Sequence, residues 1–322
     1  MVTGSEMTDA TELFVHYRPL LFSIAYEVLG SVADTEDVLQ ESYLRWSTVN
    51  LATVDNPRSY LARIVTRQAL NSLRGSARRR EEYVGPWLPE PLAAPSGDGP
   101  AEHVLTGEAV TTAMLLVLES LAPTERAVFV LREVFGFGYR EIAGAVDNSE
   151  AAVRQIAHRA RGHVLARRPR SVVDPVVAQG VAERFLIAAA TGNVQALMDA
   201  LAPDAVYLGD GGGVVSAARR PVRGADKVAR MLVGLFRRGA TMGDVGVRFA
   251  VFNAMPAVVV SLDGALDQVM CIEVGVGAGA GAGAGVEAEA GVGVEAEAGV
   301  ENAAVTAVYS VRNPEKLAAI MA

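Results

Sequence analysis

Apolar residues recur with helical spacing from the start of the chain. Leu13, Tyr17, Leu20, Leu21, Ile24 and Val28 share one face and stop at Gly30, a residue suited to closing a helix in the left-handed region. A second helix is expected from Asp34, acting as its own cap, with Val38, Leu39, Tyr43, Leu44 and Trp46 along it. A third takes Asn56 as cap and Pro57 in its first turn, where a missing N–H costs nothing. On that helix Leu61, Val65, Ala69 and Leu73 oppose Arg63, Arg67, Asn71, Arg74 and Arg78, so one side packs and the other is basic. These helices make up a block over residues 8–83.

The pattern breaks over residues 84–100, where GPWLPEPL carries three prolines and cannot continue a helix. Its Trp87 and Leu88 offer apolar area that a spacer does not need, which predicts a docking strip. Helical spacing returns over 101–170. Leu115, Leu116, Leu118 and Leu121 end one helix, and Pro123 starts another that runs to the Gly136-Phe137-Gly138 break. Two shorter helices follow around Asp147-Asn148-Ser149.

Over 175–322 the period shortens. A helix near 176–191 and others near 194–201 and 225–238 accompany partly alternating runs at 245–252, 257–262, 268–276 and 304–311, read as strands of an antiparallel sheet in an α+β domain. Within it, residues 275–301 alternate Gly with Ala and repeat Val-Glu-Ala-Glu-Ala. That composition cannot build a core and predicts a loop insertion between two hairpin strands.

Composition then removes several classes. The single cysteine, Cys271, excludes an intramolecular disulfide and a cysteine metal cage, and its apolar neighbours suit a buried side chain. No apolar run reaches membrane-spanning length and no leader pattern is present, so the expectation is a cytoplasmic protein without a membrane. A net charge of −8 argues against indiscriminate coating of nucleic acid but leaves local basic surfaces open.

Such a surface is expected on the helix from Glu150. Arg154, Gln155, His158, Arg159 and Arg161 cover one arc, while Val153, Ile156, Ala157, Ala160 and Val164 cover the other. Ser149 can cap it, and the helix before it presents Ile142, Ala143 and Val146 inward. This is a helix-turn-helix, whose second helix reads the major groove with Arg on guanine and Gln on adenine. The alternative is a solvated basic face on an ordinary hairpin. The acidic start of the second helix, with Asp34, Glu36, Asp37 and Glu41, would repel DNA and could dock a basic protein.

The stretches ADTEDVLQESYLRW (33–46), NPRSYLARIVTRQALNSLR (56–74) and LAPTERAVFVLREVFGFGYREIAGAVDNSEAAVRQIAHRAR (121–161) resemble the sigma-70 family of bacterial initiation factors, in its extracytoplasmic-function group. WLPEP (87–91), DGGG (210–213) and NPEKL (313–317) resemble the SigJ-like members, which carry a fused SnoaL-like domain. This chain departs from them at Val214, where a basic residue is usual, and in its expanded 275–301 loop.

The resemblance implies a multidomain fold, with an all-α region 2 and a helix-turn-helix region 4 followed by an α+β SnoaL-like cone-shaped barrel. It further implies core RNA polymerase and promoter DNA as partners. Asp37, Gln40, Glu41 and Trp46 would dock on the polymerase clamp helices. Arg63, Arg67, Asn71, Arg74 and Arg78 would face the −10 element, and Ser149, Arg154, Gln155, His158, Arg159 and Arg161 the −35 element. Trp87, Leu88, Pro89, Asp210, Gly211, Gly212, Gly213, Asn313 and Pro314 would join the linker to the C-terminal domain, which would modulate activity.

The residues leave two further classes open. An enzyme would need a base in the C-terminal domain, where Asp204, Asp210, Asp263 and Glu273 are candidates because all four histidines lie before residue 175. Asp210 ahead of three glycines fits turn formation and docking better, so no catalytic residue, metal or cofactor is expected. A helix-turn-helix repressor with a ligand-binding C-terminal domain is the second reading, and with it a small-molecule effector in the barrel cavity.

Overall fold

Capping residues set where the first helices begin and end. In the computed structural model, which describes residues 9–93, 110–167, 173–276 and 302–321 but not the side chains of 76–81, 319 and 321, Asp9 caps α1 (Ala10–Leu29) and Gly30, at φ 69°, closes it. Helix α2 (Val32–Trp46) starts before Asp34: the Ser31 hydroxyl accepts the Asp34 N–H at 3.2 Å and serves as cap. Asn56 accepts the Ser59 N–H at 3.1 Å ahead of α3 (Pro57–Glu81), as expected. Contacts divide the chain into two compact units, residues 1–82 with 94–168 and residues 83–93 with 169–322.

In the first unit Leu21, Ile24, Leu39, Trp46, Leu61 and Val65 are buried between α1, α2 and α3. The second helical block adds α4 (Thr112–Glu119), α5 (Pro123–Phe129), which runs into a π turn at Val130–Val134, α6 (Tyr139–Val146) and α7 (Glu150–Arg167). Arg126, 4% exposed, ties the blocks together. Its guanidinium donates to Leu118 O at 2.9 Å and to Val28 O at 2.8 Å, satisfying an α1 carbonyl near the helix end. One residue before Val28, Glu27 is buried and accepts a backbone hydrogen bond from Val110. Burial pushes its carboxyl up to about 8, and one carboxyl oxygen has no hydrogen-bond partner.

The second unit orders as α8 (Pro175–Ala190), α9 (Val194–Ala200), β1 (Leu201–Asp210), β2 (Val222–Arg223), α10 (Ala225–Gly239), β3 (Val245–Phe252), β4 (Met255–Leu262), β5 (Ala265–Val276), β6 (Ala303–Val311) and α11 (Pro314–Met321). The six strands pair as β2-β1-β6-β5-β4-β3. The antiparallel expectation holds for every pair except β1 with β6, which run parallel (Tyr207 beside Val308), so the sheet is mixed. Strand β1 itself was not expected, because Pro203, Asp204 and Asp210 lower its strand propensity. Its register with β6 slips between Leu201 and Val206.

Phe185, Leu197, Leu232, Val258, Ile272 and Val308 fill the space between the helices and one sheet face. Among the described residues the ladder is open, with β2 and β3 at its edges. Cys271 is free and buried. Residues 277–301 lie outside the described residues, but Val276 pairs with Ala303, so the insertion does join two antiparallel strands.

Candidate nucleic-acid interface

The turn between α6 and α7 is built from small polar residues. Asp147 takes the left-handed conformation (φ 56°) to end α6, and the Ser149 hydroxyl accepts the Ala152 N–H at 3.2 Å to start α7. The cap falls where the sequence predicts it, and Ser149 uses its oxygen on the helix itself. From there α7 divides as its pattern requires. Val153, Ala157, Ala160 and Val164 are buried, while Arg154, Gln155, His158, Arg159 and Arg161 are exposed.

Arg154, Gln155, His158 and Arg159 line a shallow depression of about 400 Å³. Each arginine on this face has a carboxylate neighbour that keeps access to solvent: Arg154 with Glu150 at 2.6 Å, Arg159 with Glu125 at 3.6 Å and Arg161 with Glu133 at 2.7 Å. Glu133, through its hydrogen bond and charge, raises the Arg161 pKa further above its ordinary value. Arg154 also sits over the Tyr139 ring at 4.7 Å. Pairs of this kind exchange readily with solvent and with other anions.

The basic side of α3 is split. Asn71 and Arg74 are exposed, and the Arg78 side chain lies outside the described residues. Arg63 is half-buried over the Tyr60 ring at 4.6 Å. Arg67 donates to the carbonyls of Gly144 at 3.0 Å and Ala145 at 3.4 Å, at the end of α6. Arg58 and Ser59, which sequence reasoning missed, extend this contact. Arg58 lies over the Phe137 ring at 4.1 Å, and the Ser59 hydroxyl donates to the Glu141 carboxylate. Helices α3 and α6 therefore hold one another through Arg67, which the basic pattern alone assigns to DNA, together with Arg58 and Ser59.

On α2, Asp37, Gln40 and Glu41 are exposed at successive turns. Trp46 is a correction: it is fully buried, with its indole N–H donating to Ala10 O at 2.6 Å and its ring packed near Tyr60. A large aromatic with a single donor satisfies both needs in the core. Leu44 is 61% exposed and falls on the Asp37–Gln40–Glu41 face.

In the second unit Asp210 is fully buried and its carboxylate has four donors. Tyr83 Oη donates at 2.5 Å and the Gly212 N–H at 3.0 Å to one oxygen. The Leu88 N–H donates at 2.9 Å and Lys316 Nζ at 2.8 Å to the other. Lys316 also donates to Leu88 O at 2.5 Å and lies over the Trp87 ring at 4.0 Å. The Asn313 amide donates to Tyr83 Oη at 2.9 Å, and burial, followed by Asp210, pushes the Tyr83 phenol up.

Gly212 (φ 63°) packs so tightly on Asn313 that a Cβ would overlap it, and Gly213 (φ 75°) faces Val84. The strip thus docks beside the DGGG turn, but its deepest residue is Leu88, at 0% exposure, and Trp87 is half-buried. Pro89 is buried as well, and Leu92 and Asn253 exchange hydrogen bonds at 2.9–3.0 Å where Ala93 bridges Phe252. Tyr83 and Lys316 were missed as site residues, although Lys316 stands inside the NPEKL motif.

Among the described residues no cluster of His, Cys, Asp and Glu could hold a metal, and no helix is long and apolar enough to cross a membrane. Residues 13–79 match the model of Sigma-70 region 2, and residues 111–164 that of Sigma-70, region 4. The ECF RNA polymerase sigma factor SigJ of Mycobacterium tuberculosis is 40% identical over 227 residues, 70% of this chain and 72% of that one. The probable ECF RNA polymerase sigma factor SigI of the same species is 30% identical over 228 residues, 70% and 77% of the two chains. The crystal structure of the SigJ protein superposes with a TM-score of 0.70 at 30% identity, covering 96% of this chain and 98% of that chain.

Proposed function

This chain belongs to the extracytoplasmic-function RNA polymerase sigma factors, and from that premise we propose how its surfaces divide the work of initiation. As a sigma factor it binds RNA polymerase and promoter DNA and directs transcription initiation. Residues 8–83 serve as region 2, 84–100 as linker, 101–170 as region 4 and 175–322 as a SnoaL-like regulatory domain. The exposed α7 arc of Arg154, Gln155, His158, Arg159 and Arg161, opposite a fully packed face, carries the reading. It enters the major groove at the −35 element, with Ser149 holding the start of the helix.

Arg63, Arg67, Asn71, Arg74 and Arg78 serve the −10 element. Arg67 is engaged with α6 and Arg63 rests on Tyr60, so α3 must part from α6 before its whole basic side meets DNA. Asp37, Gln40 and Glu41, with Leu44 at their centre, dock on the polymerase clamp helices, and Trp46 supports that surface from beneath. The protein acts in the cytoplasm alongside the polymerase and catalyses no reaction of its own.

The linker strip locked around Asp210 is the route by which the C-terminal domain modulates activity. Residues 83–93 belong to the C-terminal unit yet stand in the chain between regions 2 and 4, so that unit limits how the two regions separate. Run-off transcription with purified core enzyme tests the reading. The full chain should support initiation from a promoter mapped in cells, and loosening the strip with Gly212→Val should change the amount of transcript. A protein that binds the promoter tightly by itself and never supports initiation is a repressor, and the reading fails.

A further inference from the structure

Helix α10 packs Val228, Ala229, Leu232 and Val233 inward. Its opposite side, an arc of roughly 100° at 3.6 residues per turn, carries Lys227, Arg230, Arg237 and Arg238, all exposed. Gly234 lies in the middle of that arc, with nothing within 4 Å of where its Cβ would stand. Between residues 219 and 248 the chain places eight of its 29 Lys and Arg against two Asp, although its net charge is −8. Among the described residues of this helix only Arg230 has a carboxylate partner, Asp226 at 2.8 Å, and that pair is exposed. Lining up like charges one turn apart weakens a helix slightly, and Asp226 offsets this at Arg230 alone, while the last-turn position of Arg237 and Arg238 suits the helix dipole.

We propose that this stripe is a further DNA contact, gripping the phosphodiester backbone of duplex DNA without regard to sequence. Arginine supplies three of the four side chains, and its planar fork suits phosphate oxygens. The stripe is about 16 Å long at 1.5 Å per residue, enough to reach phosphates on both sides of a major groove about 12 Å wide. The bare Gly234 lets a backbone lie close to the helix midway along it. Protein interfaces deplete lysine and the acids at their centres and enrich arginine only in company with aromatics and methionine. This arc has four charges and no aromatic ring, which favours DNA over an acidic protein. The contact adds to the initiation role without depending on it, because phosphate contacts position a protein without reading bases.

The test is a salt titration of full-chain binding to a duplex of unrelated sequence, for the wild type and for K227Q/R230Q/R237Q/R238Q. Loss of the phosphate contacts should weaken binding at least about tenfold at 50 mM salt and make the log–log salt slope shallower by roughly 2 to 4. Equal affinity and slope would overturn the proposal, as would unchanged DNA binding combined with lost binding to poly-glutamate. Arg237→Glu alone, at one exposed position, guards against a misfolded quadruple variant and should weaken binding several-fold. Run-off transcription on the same preparations separates the two ideas: a wild type that never initiates defeats the sigma reading, while the DNA affinities still decide the stripe.

Discussion

On α7, Arg154, Arg159 and Arg161 keep about half or more of their side-chain surface in solvent while meeting Glu150, Glu125 and Glu133 at 2.6–3.6 Å. Around Asp210 the same chemistry is closed off: Lys316 is 7% exposed, the carboxylate 0%, and the hydrogen bonds come from a backbone amide of the strip, a phenol and a glycine turn. Exposed pairs contribute up to about 1 kcal/mol and are screened by salt. Their glutamates can therefore give way to phosphate or to a base edge at little cost. A buried pair cannot be opened without stranding a charge, so it serves architecture. Position, more than residue type, decides whether an arginine or lysine is available to a partner.

The largest test of this contrast is at the buried site. Asp210→Ala strands the Lys316 ammonium and three further donors, and should cost about 3–5 kcal/mol in urea unfolding of the C-terminal unit, with Trp87 fluorescence as reporter in a Trp46→Phe background. The double variant Asp210→Asn with Lys316→Met should be less destabilised than the sum of its parts. Strict additivity would show that the two residues do not act as a pair.

Glu27 sharpens the comparison as a buried acid with an unpartnered oxygen. Its pKa of about 8 lies above the ordinary 4.5, so the folded state holds the proton more tightly than the unfolded one. Stability should therefore be complete at low pH, decline as pH rises between those values, and stay level above them. Glu27→Gln removes the decline and should raise stability at pH 8.5 by roughly 2–4 kcal/mol, with little change at pH 4. An unaltered pH profile in urea titrations would contradict the assignment.

Smaller effects are expected on α7. Arg154→Ala and Arg159→Ala should each cost about 1–3 kcal/mol of base discrimination at their promoter positions and leave polymerase binding intact in a pull-down. Stability should move least at Arg161→Ala, because Glu133 keeps access to water and the exposed pair is screened. A loss there as large as that at Asp210 would erase the distinction between the two kinds of pair.

Much of the molecule was legible in its pattern. Gly30, Asn56, Ser149 and the α7 division follow from local rules, and β3 was bounded correctly by alternation alone. What stayed hidden depended on distant neighbours. The Ala10 carbonyl and the Tyr60 ring that hold Trp46 could not be foreseen, although its spacing from Ser42 and Leu39 already puts it on the buried side of α2, opposite Asp37, Gln40 and Glu41. Strand β1 reads as a poor strand because its partner β6 begins nearly a hundred residues on and supplies the pairing. Lys316 looks like a surface lysine until Trp87 and Asp210 are brought to it across 229 and 106 positions of chain. Arg67 reads as a DNA ligand because no sequence rule reports that the α6 carbonyls lie within reach.

The most direct measurement of the central claim is run-off transcription by core polymerase and this chain over templates with each −35 base pair changed in turn, comparing the wild type with Arg159→Ala. If the α7 face reads bases, the wild type loses transcript at particular positions and the variant loses its preference at one of them while tolerating the rest. Equal loss by the variant on every template, with the wild-type preferences intact, would reduce Arg159 to a phosphate contact and contradict a base-reading role for α7.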